Sequence, residues 1–136
     1  MRFKTDLLNR YISQAPLALA FERYLECQIY LQLPLAEPIL DLGCGEGLFA
    51  QVLFDDKIAT GIDPNPRELE RAAQLGGYTE LIQCFGDNIP KPDASYKTVF
   101  SNSVLEHIPD LDPVLREVNR ILEVGGVFYF TVPSDK

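Results

Sequence analysis

The chain has 136 residues, 46% of them apolar and 24% charged, and carries a formal net charge of −8. That length gives room for one domain with its own core, and that balance excludes a long disordered tract. The acidity excludes a bare nucleic-acid surface as partner, because phosphate backbones are gripped mainly through Lys and Arg; the same charge also serves plain solubility.

Apolar residues recur at helical spacing from Asp6 to Ser13 (Leu7, Leu8, Tyr11, Ile12), with Thr5 or Asp6 placed as N-cap. Pro16 fits the first turn of a second helix, whose apolar stripe reads Leu17, Phe21, Tyr24, Leu25 and then Gln28 with Ile29. Pro34 and Pro38 end it. Pro38 to Leu42 is a short apolar run leading into a glycine cluster, and Leu48 to Phe54 reads as a helix. Ile58 to Ile62 is a second strand, closed by Asp63 and Pro64. Pro66 to Leu75 is a helix stopped by Gly76 and Gly77. Thr79 to Phe85 and Lys97 to Ser101 read as the third and fourth strands. Asp112 is placed to cap a last helix with Pro113 at its first position and Val114, Leu115, Val118, Ile121 and Leu122 as its face. Gly125 and Gly126 break that helix, and Val127 to Val132 is a fifth strand.

Strands separated by helices of this length imply crossover units and a mainly parallel sheet, and nearly continuous apolar strands suit burial on both faces. The expected fold class is α/β, a doubly wound, mainly parallel sheet preceded by two N-terminal helices. It forms a single domain, residues 1–35 as a helical cap and 36–136 as the α/β core. Such sheets place a ligand at the carboxyl ends of the strands, where strand order reverses.

Cys27, Cys44 and Cys84 are odd in number and widely spaced, which argues against a disulfide framework and a structural zinc site, so no metal is expected. Met1, Arg2 and Lys4 are not followed by an apolar run of signal-peptide type. Ala15 to Phe21 and Val127 to Val132, the longest apolar stretches, are too short to span a bilayer. A cytoplasmic protein without a membrane span is expected.

The sharpest feature is Asp41-Leu42-Gly43-Cys44-Gly45-Glu46-Gly47, set between a strand and a helix. Glycine lets the backbone turn tightly and lets a ligand approach where a Cβ would collide. Asp63 stands at the end of the second strand, where a carboxylate can accept hydrogen bonds from both hydroxyls of a ribose. The glycines alone would indicate an ordinary strand-to-helix turn; Asp63 at this separation favours a nucleotide site. Dinucleotide loops show G-x-G-x-x-G facing a pyrophosphate. Here the spacing is G-x-G-x-G, and Asp41 and Glu46 flank it. Two carboxylates repel a pyrophosphate and attract a cationic ligand.

From about Ile39 to Pro133 the sequence resembles the class I S-adenosylmethionine-dependent methyltransferases, in particular the small-molecule "type 11" group. Asp41 to Gly47 resembles the family's first motif, whose loop holds the methionine part of the cofactor. Asp63, followed by Pro64, matches the acidic residue that binds the ribose. Gly86-Asp87-Asn88-Ile89-Pro90 resembles the third motif, where Asp87 would contact the adenine amino group and Asn88 and Ile89 would cover the ring. Ser101-Asn102-Ser103-Val104-Leu105-Glu106-His107-Ile108 resembles the segment lining the methyl-transfer site. Arg120-Ile121-Leu122, Gly125-Gly126 and the run to Pro133 resemble the family's closing helix, turn and strand. The implied cofactor is S-adenosylmethionine, held by Asp41, Gly43, Cys44, Gly45, Gly47, Asp63, Pro64, Asp87, Asn88, Ile89, Ser101 and Asn102. On charge grounds Asp41 offsets the positive groups of such a ligand, while loop amides meet its carboxylate. Gly-Asp-Asn is also ordinary turn chemistry, which leaves Asp87 open to a purely structural role. One departure stands out: Tyr96-Lys97 replaces the family's usual Phe-Asp at the start of strand four.

Methyl transfer from a sulfonium is mostly a matter of proximity and alignment, and a hydroxyl acceptor adds a need for a general base. His107, the one histidine, is either that base or a helix-end packing residue, and Glu106 either an alternative base or a solvated side chain. The N-terminal helices, through Tyr11 and Pro16 to Phe21, either form an apolar lid over the pocket or simply pack. The family's full sheet has seven strands, so the chain reads as truncated after strand five. An uncovered strand-five edge then invites a homodimer. The leading function is methyl transfer to a small-molecule acceptor; the alternative is a non-catalytic cofactor-binding or scaffold domain. A nucleotide-cofactor oxidoreductase is disfavoured by the glycine spacing.

Overall fold

Five parallel strands form one sheet in the computed structural model, which describes residues 1–134. Residues 135 and 136 of the expected 36–136 core lie outside the described residues. The strands are β1 (Ile39–Leu42), β2 (Ile58–Asp63), β3 (Tyr78–Gln83), β4 (Tyr96–Asn102) and β5 (Leu122–Thr131), in the order β3-β2-β1-β4-β5. The order reverses between β1 and β4, so the chain leaves the carboxyl ends of these neighbours in opposite directions and opens a crevice there. All four residues of β1 are buried, as a central strand covered on both faces must be.

The helices are α1 (Leu7–Ile12), α2 (Leu17–Tyr30), α3 (Leu48–Leu53), α4 (Pro66–Leu75) and α5 (Asp112–Ile121), with a short 3-10 turn over Leu105–His107. Two apolar cores sandwich the sheet. One joins Leu7, Tyr11, Ala20, Cys27, Tyr30, Ala50, Leu53 and Ala72 of α1 to α4 with Ile39 and Phe100. The other joins Val114, Val118 and Ile121 of α5 with Leu40, Leu42, Ile62 and Val99. Helices on both faces make the sheet doubly wound, as the alternation of elements indicates. Tyr30 meets Phe49 and Phe100 edge-on at 5.3 and 5.5 Å between ring centroids, which anchors α2 to the sheet.

The structure corrects the expected face of α2. Ala20, Cys27 and Tyr30 turn inward, while Leu17, Phe21, Leu25 and Ile29 are 47–62% exposed. The helix is apolar nearly all round, so periodicity alone does not fix its rotation. Polar bonds do: Arg23 Nη1 donates to Ser103 Oγ at 3.0 Å, and Asn102 Nδ2 donates to Glu26 Oε2 at 2.9 Å. Small Ala20 and Cys27 let the helix approach closely. Pro16 is the N-cap of α2, one position ahead of its first turn. At α5, Asp112 lies inside the helix, and its amide is met by Asp110 Oδ1 at 3.3 Å.

A further boundary moves. β5 starts at Leu122, directly after α5, and Gly125 and Gly126 sit inside it. Tyr96 pairs with Leu122 and Thr98 with Val127, so the four residues 123–126 of β5 stand against Lys97 alone in β4. Gly125 takes φ +83°, and a Cβ on Gly126 would lie 2.9 Å from Glu123 O, so the glycines build a bulge rather than stop a helix. The link from β3 to β4 carries no helix. It is clamped to α5: Arg120 donates to Ile89 O (2.9 Å), Lys91 O (2.8 Å) and Asp93 (2.9 Å), and Glu117 accepts from Ile89 N at 2.7 Å.

Candidate functional site

The crevice is built outward from the end of β1. After Leu42 the chain turns through Gly43, Gly45 and Gly47 at φ +75°, +54° and +79°, values that L side chains rarely adopt. Gly43 N and Cys44 N both donate to Ile62 O at 2.9 Å, which ties the loop to β2. A Cβ on Gly43 would lie 2.6 Å from the methyls of Val104, and one on Gly47 3.0 Å from the Tyr78 ring. Only Gly45, of these three, keeps open space, with Glu68 Oε2 at 3.9 Å as its nearest neighbour. The glycines at 43 and 47 thus make room for the protein itself, and the one at 45 leaves room for something else.

Asp63 closes β2 facing this loop. Its Oδ2 accepts from Gly45 N at 3.0 Å and its Oδ1 from Asn65 N at 2.8 Å. Asn65 in turn caps α4 by accepting from Arg67 N at 3.0 Å. The carboxylate is fixed in place yet keeps free lone pairs. Asp41 is buried, and Tyr78 Oη donates to its Oδ2 at 2.6 Å. Burial pushes the Asp41 carboxyl up to about 7; the Tyr78 bond opposes that rise and the charge of Asp63 adds to it.

Two cavities of about 400 Å³ each open over the strand ends. The first is walled by Asp41, Gly43, Cys44, Gly45, Gly47 and Asn102, and is covered by Tyr11, Ala15 and Leu19 from the N-terminal region. The second is walled by Asp63, Pro64, His107 and the apolar Leu42, Ile62 and Ile108. Gly43, Ser103 and Val104 border both. Ser103 takes φ +56°, an uncommon value for a side-chain-bearing residue, and this turn presents Val104 to Gly43.

The remaining residues singled out in the sequence fall elsewhere. Ser101 is buried and donates to Leu42 O at 2.9 Å, joining β4 to β1 beneath the cavities. Asp87 and Asn88 are exposed and Ile89 is buried in the α5-side core; none of the three lines either cavity. Cys84, Phe85 and Gly86, just before them, line the second cavity instead. His107 is exposed, with Glu106 Oε1 3.8 Å from its Nε2, and Glu106 lines neither cavity. The loop amides expected to meet a carboxylate are mostly engaged inside the protein: Gly43, Cys44, Gly45 and Gly47 all donate to protein oxygens.

Sequence reasoning passed over Arg23, Glu68 and Arg71, which also wall the first cavity. No local signal marks them, since they come from helix faces far from the loop in the chain. Arg23 pairs with Glu26 at 2.6 Å and Arg71 with Glu68 at 3.6 Å. Burial raises the thiols of Cys27, Cys44 and Cys84, and all three are free. Among the described residues no three His, Cys, Asp or Glu side chains gather as a metal site, and no helix is long and apolar enough to cross a membrane.

Comparison with known proteins agrees with this geometry. A family model described as a methyltransferase domain matches residues 40–130. A malonyl-[acyl-carrier protein] O-methyltransferase of Legionella pneumophila is 32% identical over 99 residues, 68% of this chain and 35% of that protein. A sarcosine/dimethylglycine N-methyltransferase of Halorhodospira halochloris is 35% identical over 104 residues, 70% of this chain and 37% of that protein. The chain therefore spans little more than a third of the length of these curated relatives. Among solved structures, an S-adenosylmethionine-dependent methyltransferase of Thermotoga maritima, described as a possible histamine N-methyltransferase, superposes with TM-score 0.70 at 28% identity, covering 79% of this chain and 50% of that one. A Pyrococcus horikoshii protein superposes with TM-score 0.72 at 23% identity over 93% of this chain and 61% of that one, a likeness of fold alone. The glycine loop, the carboxylate at the end of β2, the strand order and the matched family model converge: the chain belongs to the S-adenosylmethionine-dependent methyltransferase family.

Proposed function

We propose that the crevice over β1, β2 and β4 binds S-adenosylmethionine and passes its methyl group to a small-molecule acceptor lodged beneath α1 and α2. The observation that carries this reading is Asp63, held by Gly45 N and Asn65 N at the wall of the second cavity with lone pairs left for two sugar hydroxyls. The other residues suit the same group. The second cavity, walled by Leu42, Ile62, Phe85 and Ile108, offers apolar surface to a purine. The first, with Asp41, Glu46 and Glu68 on its wall, offers negative charge to a sulfonium and an ammonium. With four loop amides engaged, Arg23 and Arg71, which also line that cavity, are the cationic side chains that could meet a carboxylate.

The bound cofactor supplies an electrophilic methyl group. The protein supplies alignment and exclusion of water by Tyr11, Ala15 and Leu19. A hydroxyl acceptor would also need a proton acceptor, and neither base singled out in the sequence stands on the acceptor's side: His107 borders only the second cavity and Glu106 neither.

Titration calorimetry with S-adenosylmethionine and with NAD tests the cofactor. Binding of the first and not the second is expected. Replacing Asp63 with Ala should weaken it by about tenfold to a hundredfold, the worth of hydrogen bonds to a charged group. Preference for NAD, or an Asp63→Ala chain that binds unchanged, would overturn the reading. Turnover of methyl-labelled cofactor against a panel of small acceptors then tests transfer.

A further inference from the structure

The glycine loop rests on an aromatic ring that comes from the far side of the sheet. Tyr78 starts β3, yet its phenol reaches across β2 to β1. A Cβ on Gly61 of β2 would lie 2.8 Å from two carbons of the ring, and one on Gly47 would lie 3.0 Å from a third. Two bare backbones thus hold the ring between them. The ring is buried, and its hydroxyl donates to Asp41 Oδ2 at 2.6 Å. Asp41 Oδ1 has no hydrogen-bond partner among the described residues, and Asp41 stands on the wall of the first cavity.

We propose that Tyr78 is a positioning residue for the ligand site: its phenol, gripped between Gly47 and Gly61, holds one oxygen of Asp41 and leaves the other available to a cationic group of the ligand. This rests on the cofactor reading above. The groups facing Asp41 are Tyr78 from β3, Asp63 at the end of β2, Cys44 in the loop and Tyr30 from α2. None of these four is a cation, and Arg23 and Arg71, which line the same cavity, are paired with Glu26 and Glu68, so the positive charge left for Asp41 is the ligand's. The hydroxyl also decides when that charge is met. Burial alone drives Asp41 toward the neutral form, and the Tyr78 bond favours the carboxylate. Affinity for a cationic nucleoside should therefore rise as pH rises through about 7, and losing the hydroxyl should move that rise to higher pH.

The test compares Tyr78→Phe, which keeps the ring, with the unaltered chain by calorimetry between pH 6 and pH 9. The two probes are S-adenosylmethionine, which is cationic at its sulfonium and amino group, and 5′-methylthioadenosine, which has neither. The expected result is a loss of about tenfold for S-adenosylmethionine at pH 7, its binding curve displaced to higher pH, and no change for methylthioadenosine. Asp41→Asn gives a second arm: it should weaken S-adenosylmethionine alone and abolish the pH dependence, which keeps the test open if Tyr78→Phe folds poorly. Equal weakening of both probes, or an undisplaced pH curve, would overturn the role of Tyr78 while leaving the cofactor reading intact. If the unaltered chain binds neither probe, the cofactor reading falls and this one falls with it.

Discussion

Asp41 sets function against stability at a single residue. Its carboxyl ionises near pH 7 in the folded chain and near ~3.9 when unfolded, so between those values the native state holds the extra proton. Its contribution to stability is therefore fully present below about pH 4 and is lost as pH rises through 7. Asp41→Asn should accordingly make the ligand-free chain more stable at pH 8, by about 2–4 kcal/mol, and flatten its stability between pH 4 and 7. Urea unfolding across that range checks this, and a variant no more stable than the parent would count against it. Gly43 makes a second prediction. Ala there must adopt φ +75° and place a methyl against Val104, a combined cost of about 2–4 kcal/mol. Adding Val104→Ala should restore the packing share and leave a backbone share of about 1 kcal/mol. The placement of Asp63 was legible because a strand end and a following Pro64 fix it locally. Tyr78 was not, because its role depends on the bare faces of Gly47 and Gly61, which only the folded chain brings together.

Among the elements, those with strong local punctuation matched their reading. α4 lies between Asn65 with Pro66 and left-handed Gly76, where capping and stop signals agree. α2 did not match, since a helix apolar on most sides offers no preferred face, and its rotation is decided by Arg23 and Glu26 reaching the end of β4. The link from β3 to β4 carries no helix, in line with the sequence, but its clamp is not legible there, because Glu117 and Arg120 lie 28 and 31 positions from Ile89. Arg120→Ala should free that link and cost about 1–2 kcal/mol, the worth of its charge-assisted bonds at a half-exposed site. Amide exchange should rise first over residues 86–95. Protection unchanged there would show that the apolar seat of Ile89 suffices.

For the molecule as a whole, the parallel sheet and its order-reversal crevice follow from alternating elements, while the edges follow from pairing. Among the described residues no strand pairs with the outer side of β5, and Val124, Val127, Phe130 and Val132 are exposed beside it. The pocket that Gly61 offers to Tyr78 reaches beyond this one sequence. A lineage that lost the phenol would leave a hollow that a methyl at position 61 could fill, and a lineage that first gained that methyl would expel the ring. Positions 61 and 78 should therefore be inherited as a pair, drifting together or not at all, although they belong to different strands.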